Sequence, residues 1–353
     1  MKRTTLILAF LALLLGVTSQ SKAGFTTLDP PGSTSTYVAG VSGNNVFGSY
    51  QEGSNSYGFL YNGSIYTTVI VPLGLTSTYI SGVSGNNVVG GYSDANGIVH
   101  GFLFNGTTYT TLDPPGSTYT SIAGVSGNNI FGEYVYGGHN HGFVYNGSTY
   151  TTVDPPNSTS TLVSGVSGNN AVGTYSLYLI GNFGFIYNGS TYTTIDPPGS
   201  TDSSVSGISD NIVFGNYFDA NFRQEVFLYN GTTYTTFGVP GSPDTSVAGV
   251  SGNNVFGAYR EGYNFYGFLY NGSTYTTIDP LGSKFTFVTG VSGNNVVGGY
   301  LDANGIDHGY LFQPDVSAAP EPSGLVLFGT ALFTSLGYFA VRRQNPSAAL
   351  AQL

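Results

Sequence analysis

Short runs of apolar and β-branched residues, separated by turns that contain glycine and asparagine, recur along the central part of the chain. The stretch from Thr120 to Val153 holds one complete set of such runs. Short runs of this type, bounded by Gly, Asn or Pro, predict β-strands. The four predicted strands of this set are Ser121–Ser126, Asn129–Val135, Gly142–Tyr145 and Thr149–Val153.

The residues between these runs predict how the strands connect. Gly127-Asn128 and Asn146-Gly147 tolerate positive φ and predict tight hairpin turns. Asp154-Pro155-Pro156 ends the fourth strand, because proline cannot donate a hydrogen bond to a neighbouring strand. Each set is therefore expected to form four antiparallel strands. Turn chemistry also explains the Asn-Gly sequons between third and fourth strands, without glycosylation.

The segment VSGNNVFG and its variants mark seven copies of this set, which we number as units 1 to 7. The serine of the segment falls at Ser42, Ser84, Ser126, Ser167, Ser209, Ser251 and Ser292. A period of 41 or 42 residues with almost no insertion indicates one supersecondary unit repeated along the chain. One unit is too small to bury both of its faces, so the copies must stack on one another.

Four antiparallel strands in about 42 residues is the size of a β-propeller blade. The first strand of each unit is rich in small residues, as an innermost strand must be, and the Thr- and Tyr-rich fourth strand suits an exposed outer edge. Adjacent apolar residues in the second and third strands predict that both sheet faces are buried. We therefore predict an all-β fold, a seven-bladed β-propeller of four-stranded blades over residues 24–314, with a β-solenoid as the alternative.

The two ends of the repeat region favour a closed ring. Phe25–Leu28 reads as a fourth strand without its unit, and unit 7 ends after its third strand, His308–Phe312. These fragments together make one complete blade, so the N-terminal strand is expected to pair with the last blade. A solenoid would need capping segments instead.

Composition narrows the classes of function. Only 7% of the residues are charged, and the chain contains no Cys, which excludes disulfides, thiolate metal sites and Cys nucleophiles. Residues 24–319 carry three basic and seventeen acidic residues. Such a surface repels phosphate backbones, so no nucleic-acid partner is expected, whereas divalent cations and neutral, hydroxyl-rich partners stay possible.

The N-terminal segment predicts export. Lys2 and Arg3 precede the apolar run Leu6–Val17, and Ser21-Lys22-Ala23 supplies the small residues that signal peptidase reads. Residues 1–23 are therefore predicted to be a signal peptide, with cleavage after Ala23 leaving Gly24 first. The alternative is an N-terminal membrane anchor.

The C-terminal segment predicts sorting to the cell surface. After a linker at 315–319 come Pro320-Glu321-Pro322, an apolar stretch at 324–341 long enough for a single transmembrane helix, and Arg342-Arg343 before a cytoplasmic tail at 344–353. Residues 320–343 resemble the PEP-CTERM sorting signal of Gram-negative bacteria. The resemblance implies processing by an exosortase and transfer from a membrane-anchored precursor to the cell surface or extracellular matrix. The alternative is a plain C-terminal anchor.

A second resemblance covers all seven units. The strand openings His308-Gly309-Tyr310-Leu311 and His100-Gly101-Phe102-Leu103, each preceded by VSGNNVVGGY, resemble the HAF repeat of secreted bacterial proteins. Here Gly replaces the Ala of the family tripeptide, and the units with His100, His141 and His308 keep the His. The resemblance implies an extracellular repeat protein and brings no known activity.

Several acidic and histidine residues could bind a metal, but each has a structural interpretation that we favour. The residues Asp29, Asp113, Asp154, Asp196 and Asp279 stand at equivalent positions, each directly before Pro, and are expected to close turns. The loops at 94–97 and 302–305, both DANG, offer too few oxygens for calcium and predict β-turns. His139 and His141 are the one pair that could form a local metal site, although no third ligand is evident. We expect no cofactor, and calcium is the alternative.

The loops between second and third strands differ in every unit, and propeller topology places them on one rim with the DPPGST connections. Variable side chains on a rigid scaffold are where binding sites usually lie, although drift of solvent-exposed loops is the alternative. Aromatic and Arg side chains supply most contact energy at such surfaces. The candidates for a binding face are Tyr136, His139, His141, Tyr178, Phe222, Arg223, Arg260 and Tyr263.

The sequence therefore predicts an exported, non-enzymatic surface or matrix protein. Its propeller would be a rigid scaffold that binds polysaccharide or protein partners of the matrix. One alternative is an extracellular glycan lyase or hydrolase that uses carboxylates at the rim or in the central channel. The other is a purely structural matrix component.

Overall fold

The computed structural model describes residues 24–71 and 77–314. The predicted signal peptide 1–23 with Ala23, the linker 315–319, the sorting signal with its helix at 320–343 and the tail 344–353 lie outside the described residues. Gly24 begins the first strand. None of the residues in the two described ranges belongs to a helix that is long and apolar enough to cross a membrane.

The described residues form strands throughout, which we number β1 to β28 in chain order. After β1 (Gly24–Leu28), units 1 to 3 contain β2 (Ser35–Ser42), β3 (Asn45–Glu52), β4 (Asn55–Tyr61), β5 (Tyr66–Val69), β6 (Ser77–Ser84), β7 (Asn87–Ser93), β8 (Val99–Phe104), β9 (Tyr109–Leu112), β10 (Tyr119–Ser126), β11 (Asn129–Tyr136), β12 (His139–Tyr145) and β13 (Tyr150–Val153). Units 4 to 7 contain β14 (Ser160–Ser167), β15 (Asn170–Leu177), β16 (Gly181–Tyr187), β17 (Tyr192–Ile195), β18 (Asp202–Ser209), β19 (Ile212–Phe218), β20 (Gln224–Tyr229), β21 (Tyr234–Phe237), β22 (Thr245–Ser251), β23 (Asn254–Glu261), β24 (Asn264–Tyr270), β25 (Tyr275–Ile278), β26 (Phe285–Ser292), β27 (Asn295–Leu301) and β28 (Asp307–Gln313).

Within each unit the strands pair antiparallel in chain order, and one parallel residue pair also joins β4 to β6 and β24 to β26. In unit 3, for example, β10 pairs with β11, β11 with β12 and β12 with β13. Unit 7 supplies β26, β27 and β28, and its fourth strand is β1. The predicted pairing of the N-terminal strand with the last blade is confirmed, and its register runs from Gly24 opposite Gln313 to Leu28 opposite Gly309.

The sheets close into a ring around the first strands. Each of β2, β6, β10, β14, β18, β22 and β26 contacts the next, and β26 contacts β2. The approach is close: a Cβ atom on Gly290 of β26 would lie 3.0 Å from the backbone nitrogen of Val41 in β2. This crowding explains the small residues of the first strands, and the closed contact excludes the solenoid alternative.

A glycine in the second strand of each unit faces a bulge in the first strand. The register of β2 against β3 shifts between Val38 and Gly40. A Cβ atom on Gly48, opposite the bulge, would lie 2.0 Å from the carbonyl oxygen of Tyr37. Because such a contact is impossible, only glycine fits, and this explains why the repeated segment ends in Gly.

The hydrophobic cores lie between neighbouring sheets. Phe47 of unit 1 packs with Val88 and Phe102 of unit 2 in one buried cluster, and equivalent clusters recur around the ring. The third strands contribute the largest fully buried side chains, which are Phe59, Phe102, Phe143, Phe185, Phe227, Phe268 and Tyr310. Both faces of the inner strands are therefore buried, as predicted, while the Thr residues of the fourth strands are exposed.

The predicted limits of the second and third strands were too short. In unit 3, β11 continues to Tyr136 and β12 begins at His139, so the hairpin loop is only Gly137-Gly138, and the predicted strand limits at Val135 and Gly142 are wrong. The backbone pairing continues through polar, exposed side chains that give no apolar signal in the sequence. By contrast, the predicted fourth strand was one residue too long, because the observed strand begins at Tyr150 and not at Thr149.

Candidate binding surface on the loop rim

The hairpins between second and third strands and the connections between units lie on the same rim, which we call the loop rim. In unit 3 the backbone nitrogen of Thr118, in the connection, donates to the carbonyl oxygen of Val135 at the end of β11 over 2.9 Å. A Cβ atom on Gly116 would lie 2.9 Å from the ring of Tyr136. The prediction that these two sets of loops lie on one rim is therefore confirmed.

Three histidines of the loop rim are held by the aspartates that precede proline. The Nδ1–H of His141 donates to Oδ2 of Asp154 over 2.6 Å, and His100 binds Asp113 in the same way over 2.7 Å. His308 of β28 donates to Asp29 over 2.6 Å, across the junction of the two chain ends. Each aspartate thus orients an imidazole as well as ending a strand.

The other two aspartates of this set bind inside their own turns. Asp196 accepts from the hydroxyl of Ser200, and Asp279 accepts from the hydroxyl of Ser283 over 2.5 Å. Three of the five carboxylates therefore bind a histidine, and the other two bind a serine of their own turn. The sequence did contain a signal for the histidine pairs, which we did not use: in units 2 and 3 the His and Asp are thirteen residues apart.

The two DANG loops are turns closed by their aspartates. Oδ1 of Asp94 accepts from the backbone nitrogens of Asn96 and Ile98, both over 2.8 Å. These bonds lower the pKa of the Asp94 carboxyl, and the bond from Ile98 has the largest effect. The equivalent bond from Ile306 lowers the pKa of the Asp302 carboxyl. The predicted β-turns are thus confirmed, because Gly97 also donates to the carbonyl of Asp94 over 3.0 Å.

His139 and His141 stand two residues apart on β12, and each has a separate partner. His139 contacts the carbonyl oxygen of Thr159 through Nδ1 at 3.3 Å, whereas Nδ1 of His141 is engaged by Asp154. In the described part of the chain, no group of three or more His, Cys, Asp or Glu side chains has the geometry to hold a metal ion.

Two carboxylates of the loop rim in unit 2, Asp94 and Asp113, flank a histidine. Nε2 of His100 lies 3.7 Å from Oδ2 of Asp94, and its Nδ1 binds Asp113, so the imidazole fills the space between the two acids. Glu133 is a separate acid of unit 3 whose pKa burial raises, and Asn140 donates to it over 3.3 Å. Neither arrangement is a pair of carboxylates facing an open cleft.

The aromatic candidates are strongly exposed on the loop rim. The exposed fractions are 56% for Tyr136, 75% for Tyr178, 81% for Phe222 and 97% for Tyr263. Two further apolar residues that we did not predict, Leu179 and Ile180, are also exposed, at 89% and 67%. The run Tyr178-Leu179-Ile180 was itself the signal for them, because three consecutive apolar residues are unusual in a loop.

The two Arg candidates differ in their surroundings. Arg223 is exposed next to Phe222. Arg260 is only partly exposed, and its Nε lies 2.5 Å from Oδ2 of Asp244, so its charge is paired. Asp244 also lines a cleft of about 290 Å³ between units 5 and 6, with Gln224 and Phe265 among the other lining residues.

Phe222 occupies a backbone position that its counterparts give to glycine. The DANF loop of unit 5 has the same aspartate closure as the DANG loops, with Asp219 accepting from Asn221 and Arg223 over 2.8 and 2.9 Å. Phe222 has φ 60°, where Gly97 has φ 79° and Gly305 has φ 83°. A bulky residue in this left-handed conformation is strained by roughly 1 kcal/mol or more.

Comparisons with known proteins support the architecture. No family model matches the chain, and no curated protein matches it. Among solved structures, the β-propeller domain of the trilobed protease from Pyrococcus furiosus is similar, with TM-score 0.57, 9% identity, and coverage of 82% of this chain and 100% of that one. YCF48 bound to a D1 peptide is similar with TM-score 0.54, 11% identity, and coverage of 84% and 97%.

An acylaminoacyl peptidase is also similar, with TM-score 0.55, 8% identity and coverage of 84% of this chain but only 54% of the peptidase. The match therefore spans about half the length of that enzyme. At such low identities the likeness concerns the fold alone. The chain is an all-β propeller.

Proposed function

We propose that this protein is an exported component of the cell surface or extracellular matrix, whose loop rim binds polysaccharide or protein partners. Its domain is a seven-bladed propeller, with each unit forming one blade and β1 completing the blade of unit 7. The closed ring supports a binding role, because it holds the variable loops in fixed positions with little need for ordering on binding.

The observation that carries this proposal is the strained, exposed Phe222. Two related loops use glycine at the same backbone position, and the same aspartate closure forms without any aromatic. The aromatic ring is 81% exposed, so burial of the ring does not offset the strain. A strained residue that does not stabilise its own fold is a candidate for function, because the benefit must arise elsewhere.

Leu179 repeats this combination in unit 4. It has φ 59°, it is exposed, and it lies between Tyr178 and Ile180, which are exposed as well. Together Phe222 and Leu179 present apolar surface on neighbouring units of one rim. Such surface loses unfavourable contact with water when a partner covers it.

The test compares retention of the purified domain on the exopolysaccharide and surface proteins of the producing cells. Phe222→Gly and Leu179→Gly should each raise the unfolding free energy by about 1 kcal/mol, because glycine adopts the left-handed conformation freely. Both variants should at the same time lose retention.

The matched control is Ile65→Thr. Ile65 is an exposed apolar residue of the Asn-Gly turn in unit 1, on the opposite rim, and the equivalent turn of unit 2 has Thr108 at this position. This variant should keep full retention. If the wild-type domain is not retained at all, or if Phe222→Gly is retained as well as wild type, the proposed role of the loop rim is wrong.

Export and sorting are part of the same proposal and have a separate test. The mass of the protein recovered from the producing cells should correspond to cleavage after Ala23 by signal peptidase and to cleavage near Pro320-Glu321-Pro322 by an exosortase. An intact N terminus, or a mass that includes Arg342 and Arg343 in the surface-bound form, would contradict it.

A further inference from the structure

A cleft of about 460 Å³ opens between units 3 and 4, on the rim opposite to the loop rim. We call it the 3/4 cleft. This volume lies within the range of about 300 to 1,000 Å³ that small-molecule sites occupy. Its lining residues are Asn129, Val144, Thr151, Val153, Val166, Gly168, Asn169, Ala171, Tyr187, Asn188, Gly189 and Ser190.

A single repeat position accounts for the apolar part of this cleft. Ala171 takes the place that Val or Ile has in every other unit, as in Val88 of unit 2 and Val255 of unit 6. Phe131 packs with Ala171 in the cluster between units 3 and 4, whereas the equivalent Phe214 packs with Val255 between units 5 and 6. The missing methyl groups leave space beside Val153 that the repeat otherwise fills.

The polar edge of the cleft also differs from its counterpart at the ring closure. Between units 7 and 1, Nδ2 of Asn295 donates to the carbonyl of Gly43 and to Oδ1 of Asn44, both over 3.3 Å. The equivalent residues between units 3 and 4 are Asn129, Gly168 and Asn169, and all three line the open cleft. Asn169 is exposed and Asn129 is partly exposed, so both side chains can reach an occupant of the cleft.

The lining selects the chemistry of an occupant. No lining residue is charged, so neither an anion nor a metal ion would find a counter-charge there. A purely apolar ligand would leave the amides of Asn129 and Asn169 without partners. The remaining class combines an apolar ring face with several hydroxyl groups, which can both accept from and donate to amides.

We propose that the 3/4 cleft binds one neutral pyranose residue of a polysaccharide. Its apolar face would lie on Val144, Val166 and Ala171, and its hydroxyl groups would bind the amides of Asn129 and Asn169. Tyr187, which stacks on Tyr192 at 4.5 Å, forms a fixed wall. This site does not depend on the loop rim, since it lies on the opposite rim and shares no residue with it.

The test is a titration of the purified domain with the methyl glycosides of glucose, galactose, mannose and N-acetylglucosamine, followed by NMR at the amides of residues 168–171. Methyl galacturonoside serves as the charged comparison. At least one neutral glycoside should shift these signals in a saturable way, and the charged one should bind about tenfold more weakly, because its carboxylate would be desolvated without a partner.

Two variants test the site itself. Ala171→Val restores the residue found in unit 6 and should weaken binding by about tenfold or more through loss of space, while Asn129→Ala should weaken it about tenfold through loss of a hydrogen bond. The control Phe222→Gly, on the loop rim, should leave the glycoside affinity unchanged.

The absence of any glycoside-dependent shift at residues 168–171 would overturn the proposal. So would equal affinity in wild type and Ala171→Val, with the folded state of the variant checked by its amide spectrum. Loss of retention in Phe222→Gly together with intact glycoside binding would separate the loop rim from the 3/4 cleft. The two proposals can therefore fail independently.

Discussion

The boundary between units 7 and 1 and the boundary between units 3 and 4 join the same kinds of strands, yet they are held together differently. Units 3 and 4 are joined by the chain itself, through the connection that follows β13. Units 7 and 1 are joined through β1, whose attachment to β28 is non-covalent. The ring is therefore closed by contacts alone at only one place among the described residues.

The non-covalent boundary has additional contacts. Phe25 of β1 packs on Tyr310 and Phe312, with ring centroids 5.7 and 4.7 Å apart. Gln313 donates to Asn295 over 2.8 Å, and Asn295 in turn donates across to unit 1. At the covalent boundary the equivalent asparagine faces the 3/4 cleft. The comparison teaches that two units joined by the chain can have a cleft between them, because the covalent connection keeps the units together.

The largest effect is expected from Leu28→Ala. Leu28 is fully buried at the end of β1, and its loss should lower the unfolding free energy by about 3 kcal/mol in chemical denaturation. Leu112→Ala is the matched control, since Leu112 is equally buried at the same position of unit 2. Both should destabilise the domain, but only Leu28→Ala should speed hydrogen exchange in β28 selectively. Equal exchange in the two variants would show that β1 is no weaker than a covalently connected strand.

A pair of opposite substitutions addresses the missing methyl groups. Val255→Ala should lower the unfolding free energy by about 2 kcal/mol, because it removes buried methyl groups and leaves a cavity beside Phe214. Ala171→Val should raise it by about 1 kcal/mol, since it fills space beside Phe131. Denaturant titrations measure both. Destabilisation by Ala171→Val would mean that the 3/4 cleft is not simply unfilled repeat volume.

The asparagine at the end of the boundary should contribute to stability between units 7 and 1, where it is Asn295, but not between units 3 and 4, where it is Asn129. Asn295→Ala removes the bonds to Gly43, Asn44 and Gln313 and should cost about 1 kcal/mol of unfolding free energy. Asn129→Ala, in the absence of ligand, should be close to neutral. The midpoints of thermal unfolding give the comparison, and equal losses in the two variants would contradict it.

The smallest effect is expected from a fall in pH, which should change hydrogen exchange in a loop of unit 7 but not in a loop of unit 4. The folded state lowers the pKa of Asp302, so the contribution of this residue is present above its unfolded pKa of about 4 and is lost as pH falls below it. Hydrogen exchange of the amides of Asn304 and Ile306, which donate to Asp302, should therefore rise in acid relative to their intrinsic rates.

The amide of Ile180 in unit 4 provides the comparison. It donates to the backbone carbonyl of Leu177 over 3.1 Å, so its protection should not follow this titration. If Asn304, Ile306 and Ile180 lose protection together, the change reflects global unfolding and not the loop of Asp302.

Much of the fold was readable from the sequence because it depends on local chemistry repeated many times. The turn at Gly127-Asn128 and the stop at Asp154 follow from residue type, and the copies reinforce one another. The ends of β11 and β12 were not readable, since Tyr136, His139 and Asn140 are exposed and carry no burial pattern, although the backbone pairing includes them. The loop-rim candidates could be named from composition, but not the strain at Phe222, which depends on its backbone angle.

By itself the sequence determined the repeat, the strand order within a unit and the pairing of Phe25–Leu28 with the last strand, because hydrophobic pattern and turn residues act over a few neighbouring positions. Only the tertiary structure decided which surfaces face each other. It placed Asp29 next to His308. It also placed Ala171, where other units have Val or Ile, in the lining of the 3/4 cleft. Contacts between residues far apart in the chain depend on how whole sheets pack, and no local pattern encodes the space left between them.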